Sequence, residues 1–341
     1  PIATRKISEA VLQTIAAKLP ELIGGCADLN PSTFARLVGY GDFQKPGEIK
    51  KIFEGAVIDD DGKNDDVSGI FNYEGRNIHF GVREHAMGAV ANGLALHGGF
   101  RPFTGTFFVF SDYMRPPMRL AALSKLPVVF VFSHDSIGVG EDGPTHQPIE
   151  QLMNLRAVPN LTVIRPADAM ETVEAWRAAL FNKEGPTVLV FTRQKLPIID
   201  RDRFSPADGL HKGAYILWQS GESLPDIIII GTGSEIHIAL EAAEKLAKED
   251  LNVRVVSMPS WELFDKQTDE YRESVLPVSV RKRVAVEAGI KLGWERYVGL
   301  DGAVIGMETY GTSAPGKLLF EKFRITADAV YKVAKRLLSR E

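Results

Sequence analysis

Pro127-Val128-Val129-Phe130-Val131-Phe132 runs without a polar residue into Ser133-His134-Asp135-Ser136-Ile137-Gly138-Val139-Gly140-Glu141-Asp142-Gly143-Pro144-Thr145-His146-Gln147. An unbroken apolar run of this length is expected of a central parallel strand covered on both faces. The stretch behind it gathers glycine, histidine and acid on one loop, and ligands of open α/β sheets bind in the crevice beyond the carboxyl ends of strands. The loop therefore stands where a site belongs. Taken alone it also reads as a solvated turn, or as a metal centre built from His134, Asp142 and His146, although that spacing matches no compact zinc motif.

The alternation of strand and helix extends both ways from this point. Upstream, a helix over residues 5–18 precedes strands at Leu22–Gly25 and Asn77–Phe80, a small-residue helix from Arg83 to Leu96 closing at Gly98-Gly99, and a strand from Pro102 to Phe108. Downstream come Thr162–Ile164, a helix over Ala169–Phe181 and Val188–Phe191. A second set follows, with strands at 226–230, 253–257, 283–286 and 303–307 and helices at 235–248 and 326–338. The expected class is α/β, with two doubly wound domains of mainly parallel sheet. Their expected extents are residues 1–194 and 211–341, joined by a linker over 195–210 whose Pro, Asp and Arg show no period. Residues 39–75, Gly-rich and acidic at Asp59-Asp60-Asp61 and Asp65-Asp66, read as a surface insertion.

Composition narrows the function. Forty basic residues against 44 acidic ones leave a net charge of −4, so no global positive field gathers nucleic acid or anionic lipid. Neither nucleic acid nor a membrane is an expected partner, since no apolar run approaches the roughly 18 residues of a membrane span. Any anion site must be local. Cys26 is the only cysteine, which excludes an intrachain disulfide and a Cys-based zinc site and fits a cytoplasmic location. A chain that begins Pro1-Ile2-Ala3 without an initiator Met is expected to be a processed product or a fragment lacking an upstream part.

Two further clusters follow strands. Gly81-Val82-Arg83-Glu84-His85-Ala86-Met87 opens a helix, where an acid at the first turn is also what the helix dipole favours. Thr106-Phe107-Phe108-Val109-Phe110-Ser111-Asp112-Tyr113 spaces Phe107, Phe110 and Tyr113 by three, a stripe that by itself reads as core.

Together and in this order, these features resemble the middle and C-terminal domains of transketolase. The resemblance covers nearly the whole chain, from Ala3-Thr4-Arg5-Lys6 through Gly25-Cys26-Ala27-Asp28-Leu29 to Phe191-Thr192-Arg193-Gln194. Residues 39–75 are longer than expected of the family, and Cys26 stands where many members carry Ser. The resemblance implies thiamine diphosphate as cofactor. Glu84 occupies the position of the carboxyl group that hydrogen-bonds the aminopyrimidine ring and drives its tautomerisation. Phe107, Phe110 and Tyr113 would form the apolar pocket against that ring, with Asp28 near the cofactor at a subunit contact. Sugar-phosphate substrates would meet Arg5, Arg193, His134 and the Ser32 hydroxyl, Arg being suited to forked phosphate contacts. Asp142 would contact the C2 hydroxyl, and His146, with His134, would lie at the reacting ketol and assist proton transfer.

The resemblance also implies what this sequence does not carry. The family holds the diphosphate and a divalent metal, Mg or Ca, through a Gly-Asp-Gly sequence on an N-terminal domain, and Asp61-Gly62 and Asp142-Gly143 are only approximations to it. The metal is therefore expected on a partner N-terminal domain or subunit, with none on this chain, and homodimerisation is expected through both domains. In the second half Gly231-Thr232-Gly233 begins a phosphate fingerprint without completing it, so that domain reads as an assembly element. The expected activity is transfer of a two-carbon ketol unit from a ketose phosphate to an aldose phosphate. Deoxyxylulose phosphate synthase shares the domain order and part of the Gly-Glu-Asp-Gly-Pro-Thr-His loop, but His134-Asp135-Ser136-Ile137 and Thr192-Arg193-Gln194 favour transketolase. A non-catalytic dimerisation or regulatory subunit is the third reading, and the set Glu84, His134, Asp142 and His146 argues against it.

Overall fold

In the computed structural model of the protein, residues 1–46 and 71–339 are described. Eight strands form the first sheet: β1 (Leu22–Cys26), β2 (Asp42–Phe43), β3 (Phe71–Asn72), β4 (Asn77–His79), β5 (Arg101–Phe107), β6 (Val129–Ser133), β7 (Thr162–Ile164) and β8 (Thr187–Phe191). Their order is β3-β2-β4-β1-β5-β6-β8-β7, and every pairing is parallel. The second sheet has five strands, β9 (Tyr215–Gln219), β10 (Ile227–Gly231), β11 (Val253–Ser257), β12 (Arg283–Ile290) and β13 (Ala303–Met307), ordered β13-β12-β10-β11-β9. Only β9 runs antiparallel, against β11. Both sheets are α/β and mainly parallel, as the apolar runs predicted.

Strand β6 shows why such a run is needed. Side chains alternate across a strand, so Val129 and Val131 pack with Leu12, Trp176 and Phe191 on one face, while Phe130 and Phe132 pack with Met87, Met114 and Met118 on the other. In β10, Ile227 and Ile229 face Ala239 and Val330 while Ile228 and Ile230 face Trp261 and Trp294. Each fully buried side chain of this kind contributes roughly 1.5–3 kcal/mol of transfer free energy. A single polar substitution in either strand would face apolar neighbours whichever way it pointed.

Several elements escaped the sequence pattern. A helix over Ser111–Leu123 contains Pro116 and Pro117, residues that ordinarily argue against a helix interior; burial of Met114, Met118, Ala121 and Ala122 outweighs them. The described ends of the expected surface insertion are β2 and β3, which extend the sheet, and Asp42 there is fully buried between Arg36 and His79. Residues 47–70, with Asp59-Asp60-Asp61, Asp61-Gly62 and Asp65-Asp66, lie outside the described residues. The expected linker is pinned along its length. Leu196 bridges to Ile2, the Ile199 amide donates to Asp168 Oδ2 at 3.2 Å, and Arg201 pairs with Asp168 at 2.9 Å. Among the described residues no helix is long and apolar enough to cross a membrane.

The two units meet through buried charge. Arg156 grips Glu287 with two bonds of 2.8 and 2.9 Å, and Trp294 Nε1 donates to the same carboxylate at 2.7 Å. At the amino end the chain closes on β8 through a reciprocal pair: the Thr4 amide donates to Thr192 Oγ1 at 3.1 Å, and the Thr192 amide donates to Thr4 Oγ1 at 2.7 Å. Both residues are buried. Thr192→Val keeps the shape but strands the Thr4 amide, so it should lower stability by about 1–3 kcal/mol in urea unfolding. A midpoint equal to wild type would show that the amide finds another acceptor.

Candidate active site

Parallel pairing puts the carboxyl ends of β1, β4, β5, β6 and β8 on one side of the first sheet, and the expected site residues lie on the segments that leave those ends. Arg5 arrives from elsewhere. It begins the helix Thr4–Ala16, and the Thr4–Thr192 pair brings it beside Arg193, 188 residues on. The Arg5 guanidinium donates to the Ser32 carbonyl and lies 3.4 Å from His134 Nε2, while Phe34 receives the cation on its ring face at 5.1 Å. Ser32 thus meets Arg5 through its backbone oxygen. Arg5 Nε is buried without a partner among the described residues, and its neighbour Arg193 is exposed. Burial, with Arg193 adding repulsion, lowers the Arg5 pKa to about 10.

His134 follows β6 with φ +63° and is 2% exposed. Burial, then Arg5, Arg193 and His146, pushes its imidazole down to about 3. It is neutral near pH 7, so the positive charge of the pocket belongs to Arg5 and Arg193 and not to His134. Arginine only donates hydrogen bonds; Nε2 therefore accepts from Arg5, and the ring proton lies on Nδ1, donated to Ser133 Oγ at 2.8 Å.

The aromatic stripe is not core packing. The Phe107 ring stacks on His134 at 3.7 Å and lies 6.1 Å from Phe110, which lies 6.1 Å from Tyr113. Along this row exposure rises from 7% at Phe107 to 65% at Tyr113. His146 sets its ring edge against Phe107 and Phe110 at 6.4 and 5.6 Å. Arg5, Ser32, Phe107, Phe110, Tyr113, His134, His146 and Arg193 therefore form one cluster.

No hydrogen bond or ring contact joins Glu84 to this cluster among the described residues; it opens the helix Glu84–His97 after β4, and that helix packs against the helix Ser111–Leu123 and against β5. Glu84 is 7% exposed and its carboxylate has no hydrogen-bond donor among the described residues. Asp28, at φ +61°, follows β1 and is exposed, and Asp142 is exposed on the glycine-rich loop. Among the described residues no three His, Cys, Asp or Glu side chains are grouped to hold a metal; His134, Asp142 and His146 do not form such a set.

Sequence reading missed the groups that hold the loop. Gln147 Nε2 donates to the Gly140 and Thr312 carbonyls at 2.8 and 3.0 Å, and Ser313 Oγ donates to the Glu141 carbonyl at 2.5 Å. Arg165, fully buried, pairs with Asp135 at 2.7 Å and with Glu235 of the second unit. Isolated polar residues carry no periodic signal; only the His-Asp-Ser and Thr-Arg-Gln contexts hinted that their neighbours mattered.

Ring NMR should find His134 neutral throughout the range in which an exposed histidine titrates. Its folded value near 3 lies below the ordinary 6.5, so between those pH values the unfolded chain takes up a proton that the folded residue refuses. This residue's effect on stability therefore worsens as pH falls through that window, and His134→Asn should flatten that part of the acid unfolding curve. A ring that titrates near 6.5 would show that water reaches it.

Comparison with known proteins follows the same outline. The family model for the transketolase pyrimidine-binding domain matches residues 1–198, and that for the transketolase-like C-terminal domain matches residues 213–326. A transketolase of Aquifex aeolicus is 49% identical over 96% of this chain and 44% of its own length. Pichia stipitis transketolase, solved in complex with sedoheptulose-7-phosphate, superimposes with a TM-score of 0.86 at 40% identity, covering 99% of this chain and 46% of that one. A split-gene transketolase, solved as an inactive beta4 tetramer, has the same fold with a TM-score of 0.73 at 24% identity, covering 99% of each chain. The chain spans about half the length of the curated relatives it matches.

Proposed function

The chain belongs to the transketolase family, and from that premise we propose that it is the pyrimidine-binding and C-terminal portion of an enzyme that moves a two-carbon ketol unit from a ketose phosphate to an aldose phosphate. The observation that carries this reading is the pairing of Arg5 with Arg193 around a neutral His134, at the inner end of an aromatic row. An acidic protein has gathered two guanidinium groups where the Coulomb cost is plain, and a dianionic phosphate relieves it.

Thiamine diphosphate is the cofactor this reading calls for. Its pyrimidine half fits the residues present, because the Phe107–Phe110–Tyr113 row offers flat apolar faces and Glu84 is a nearly buried carboxylate with no hydrogen-bond donor among the described residues. When bound, the cofactor supplies the carbon nucleophile that carries the ketol unit. Glu84 would hold a proton shared with the pyrimidine ring nitrogen, and the aromatic row would exclude water from that ring. Asp28 would lie near the cofactor at the subunit contact. Arg5 and Arg193 would bind the substrate phosphate, with Ser32 and neutral His134 as hydrogen-bonding neighbours. Asp142 would orient the C2 hydroxyl, and His146 would move a proton at the reacting carbons.

The diphosphate and its Mg or Ca ion would be held by an N-terminal portion, upstream or on a separate subunit. A transketolase of the same fold whose gene is split gives a precedent for the two-part organisation. Homodimerisation is supported by exposed apolar side chains on successive helices, Val90 and Leu96 on one, Leu120 and Leu123 on the next.

Mixing the chain with a separately produced N-terminal portion and cofactor should yield ketol transfer that the chain alone lacks; equal turnover by the chain alone would sink the two-part reading. In that complete enzyme, Arg193→Ala should raise KM for phosphorylated acceptors but not for glycolaldehyde. A charge-assisted contact is worth roughly 1.5–3 kcal/mol, so the change in discrimination should be about ten- to a hundredfold. Equal effects on both acceptors would assign Arg193 to structure.

A further inference from the structure

The turn Gly231-Thr232-Gly233-Ser234-Glu235, which leaves β10 and starts the helix Glu235–Ala247, resembles an unfinished phosphate loop, yet the structure shows it filled from within the protein. Arg165 Nη1 donates to the Thr232 carbonyl at 3.0 Å and to the Glu235 carboxylate, and Nη2 reaches Ser234 Oγ at 3.4 Å. Gly233 has φ +55°, and a Cβ there would stand 2.7 Å from the guanidinium carbon. The glycine is needed because a cation occupies the turn.

The opposite edge of the same guanidinium holds the first unit. Nε and Nη2 donate to Asp135 Oδ2 at 3.0 and 2.7 Å. The turn makes a second such connection, since Ser234 Oγ accepts from Gln194 Nε2 at 3.3 Å. Asp135 is the residue after His134, and Gln194 is the residue after Arg193. Two members of the cationic pocket, leaving the ends of β6 and β8, are therefore each tethered one residue downstream to one turn of the second unit.

We propose that Arg165 is a positioning residue which, with the turn Gly231–Glu235, sets the placement of His134 and Arg193, so that the second unit governs phosphate recognition without placing an atom in the pocket. The inference rests on the function proposed above and deepens it. His134 needs such support, because a non-glycine residue in the left-handed region persists only where its surroundings over-determine it. The planar fork of arginine can serve Asp135 and Glu235 at once, which the single ammonium of lysine cannot do with the same geometry.

The test uses the complete enzyme carrying Arg165→Lys or Ser234→Ala, beside Arg193→Ala as reference. Both variants should raise KM for a phosphorylated acceptor by about three- to tenfold and weaken inhibition by inorganic phosphate by the same factor, with kcat and KM for glycolaldehyde near wild type. A readout free of turnover is inorganic phosphate added to this chain alone, followed by the His134 ring signals; the half-saturating concentration should rise by the same factor in the variants. Ser234→Ala removes one neutral contact, so it decides the matter if Arg165→Lys fails to fold. An Arg193→Ala substitution that changes the kinetics of both acceptors equally would overturn the phosphate pocket and this inference with it. An Arg193→Ala substitution that raises KM for the phosphorylated acceptor alone, beside Arg165→Lys and Ser234→Ala enzymes that leave the acceptor ratio unchanged or slow both acceptors equally, would overturn this inference alone.

Discussion

Parallel pairing in the first sheet is the constraint on which the rest of the molecule depends. Because each strand returns to the same edge before the next begins, the segments leaving β1, β4, β5, β6 and β8 all emerge on one side. Residues remote in sequence, such as Glu84, Phe107, His134 and Arg193, thereby share one rim. The same arrangement demands strands that are apolar on both faces, and β6 and β10 supply them. Chemistry is thus confined to strand ends and loops, where polar side chains escape the two packed layers.

Placing cations on that rim of an acidic protein has a cost, and the structure distributes it. Arg5 is lowered towards 10 by burial and by Arg193, and His134 avoids adding a third positive charge by remaining neutral. The Thr4–Thr192 pair holds the two arginines together against their repulsion with hydrogen bonds that no salt can screen as it screens exposed ion pairs. On the proposed function, a rim held this way would be preorganised for an anion, since the ordering is done before the ligand arrives.

The second unit meets the first through buried ion pairs, Arg156 with Glu287 and Arg165 with Asp135 and Glu235. Removing one partner of such a pair leaves an uncompensated charge, at a cost of about 3–5 kcal/mol, so the relative placement of the units is specified sharply even where the pair adds little net stability. Segments 311–313 and 231–235 bear on the glycine-rich loop and its neighbours through this contact. An element that sequence reading assigned to assembly alone is therefore in contact with the loop that carries His146 and Asp142.

The sequence by itself determined the α/β class, the placement of most of the described strands and of five of the six longest described helices, nearly all to within a residue or two, and the loops worth watching, because apolar periodicity and strand-end glycine are local signals that survive without coordinates. Asp168, for example, caps the helix Ala169–Phe181 through the Glu171 amide at 2.9 Å, where the pattern began that helix. It did not determine the helix Ser111–Leu123, whose two prolines argue locally against what distant methionines enforce, nor the short edge strands β2 and β3, which are too brief to show a period. The resemblance picked out Arg5, His134 and Arg193, but their charge states and the role of the Ser32 carbonyl came only with the fold, since a pKa depends on burial and on neighbours up to 188 residues away. Arg165 marks the boundary most clearly. In sequence it is one arginine among many, and only tertiary packing reveals that both carboxylates it neutralises lie on different units, because desolvation and Coulomb attraction act through space and leave no trace in the order of the residues.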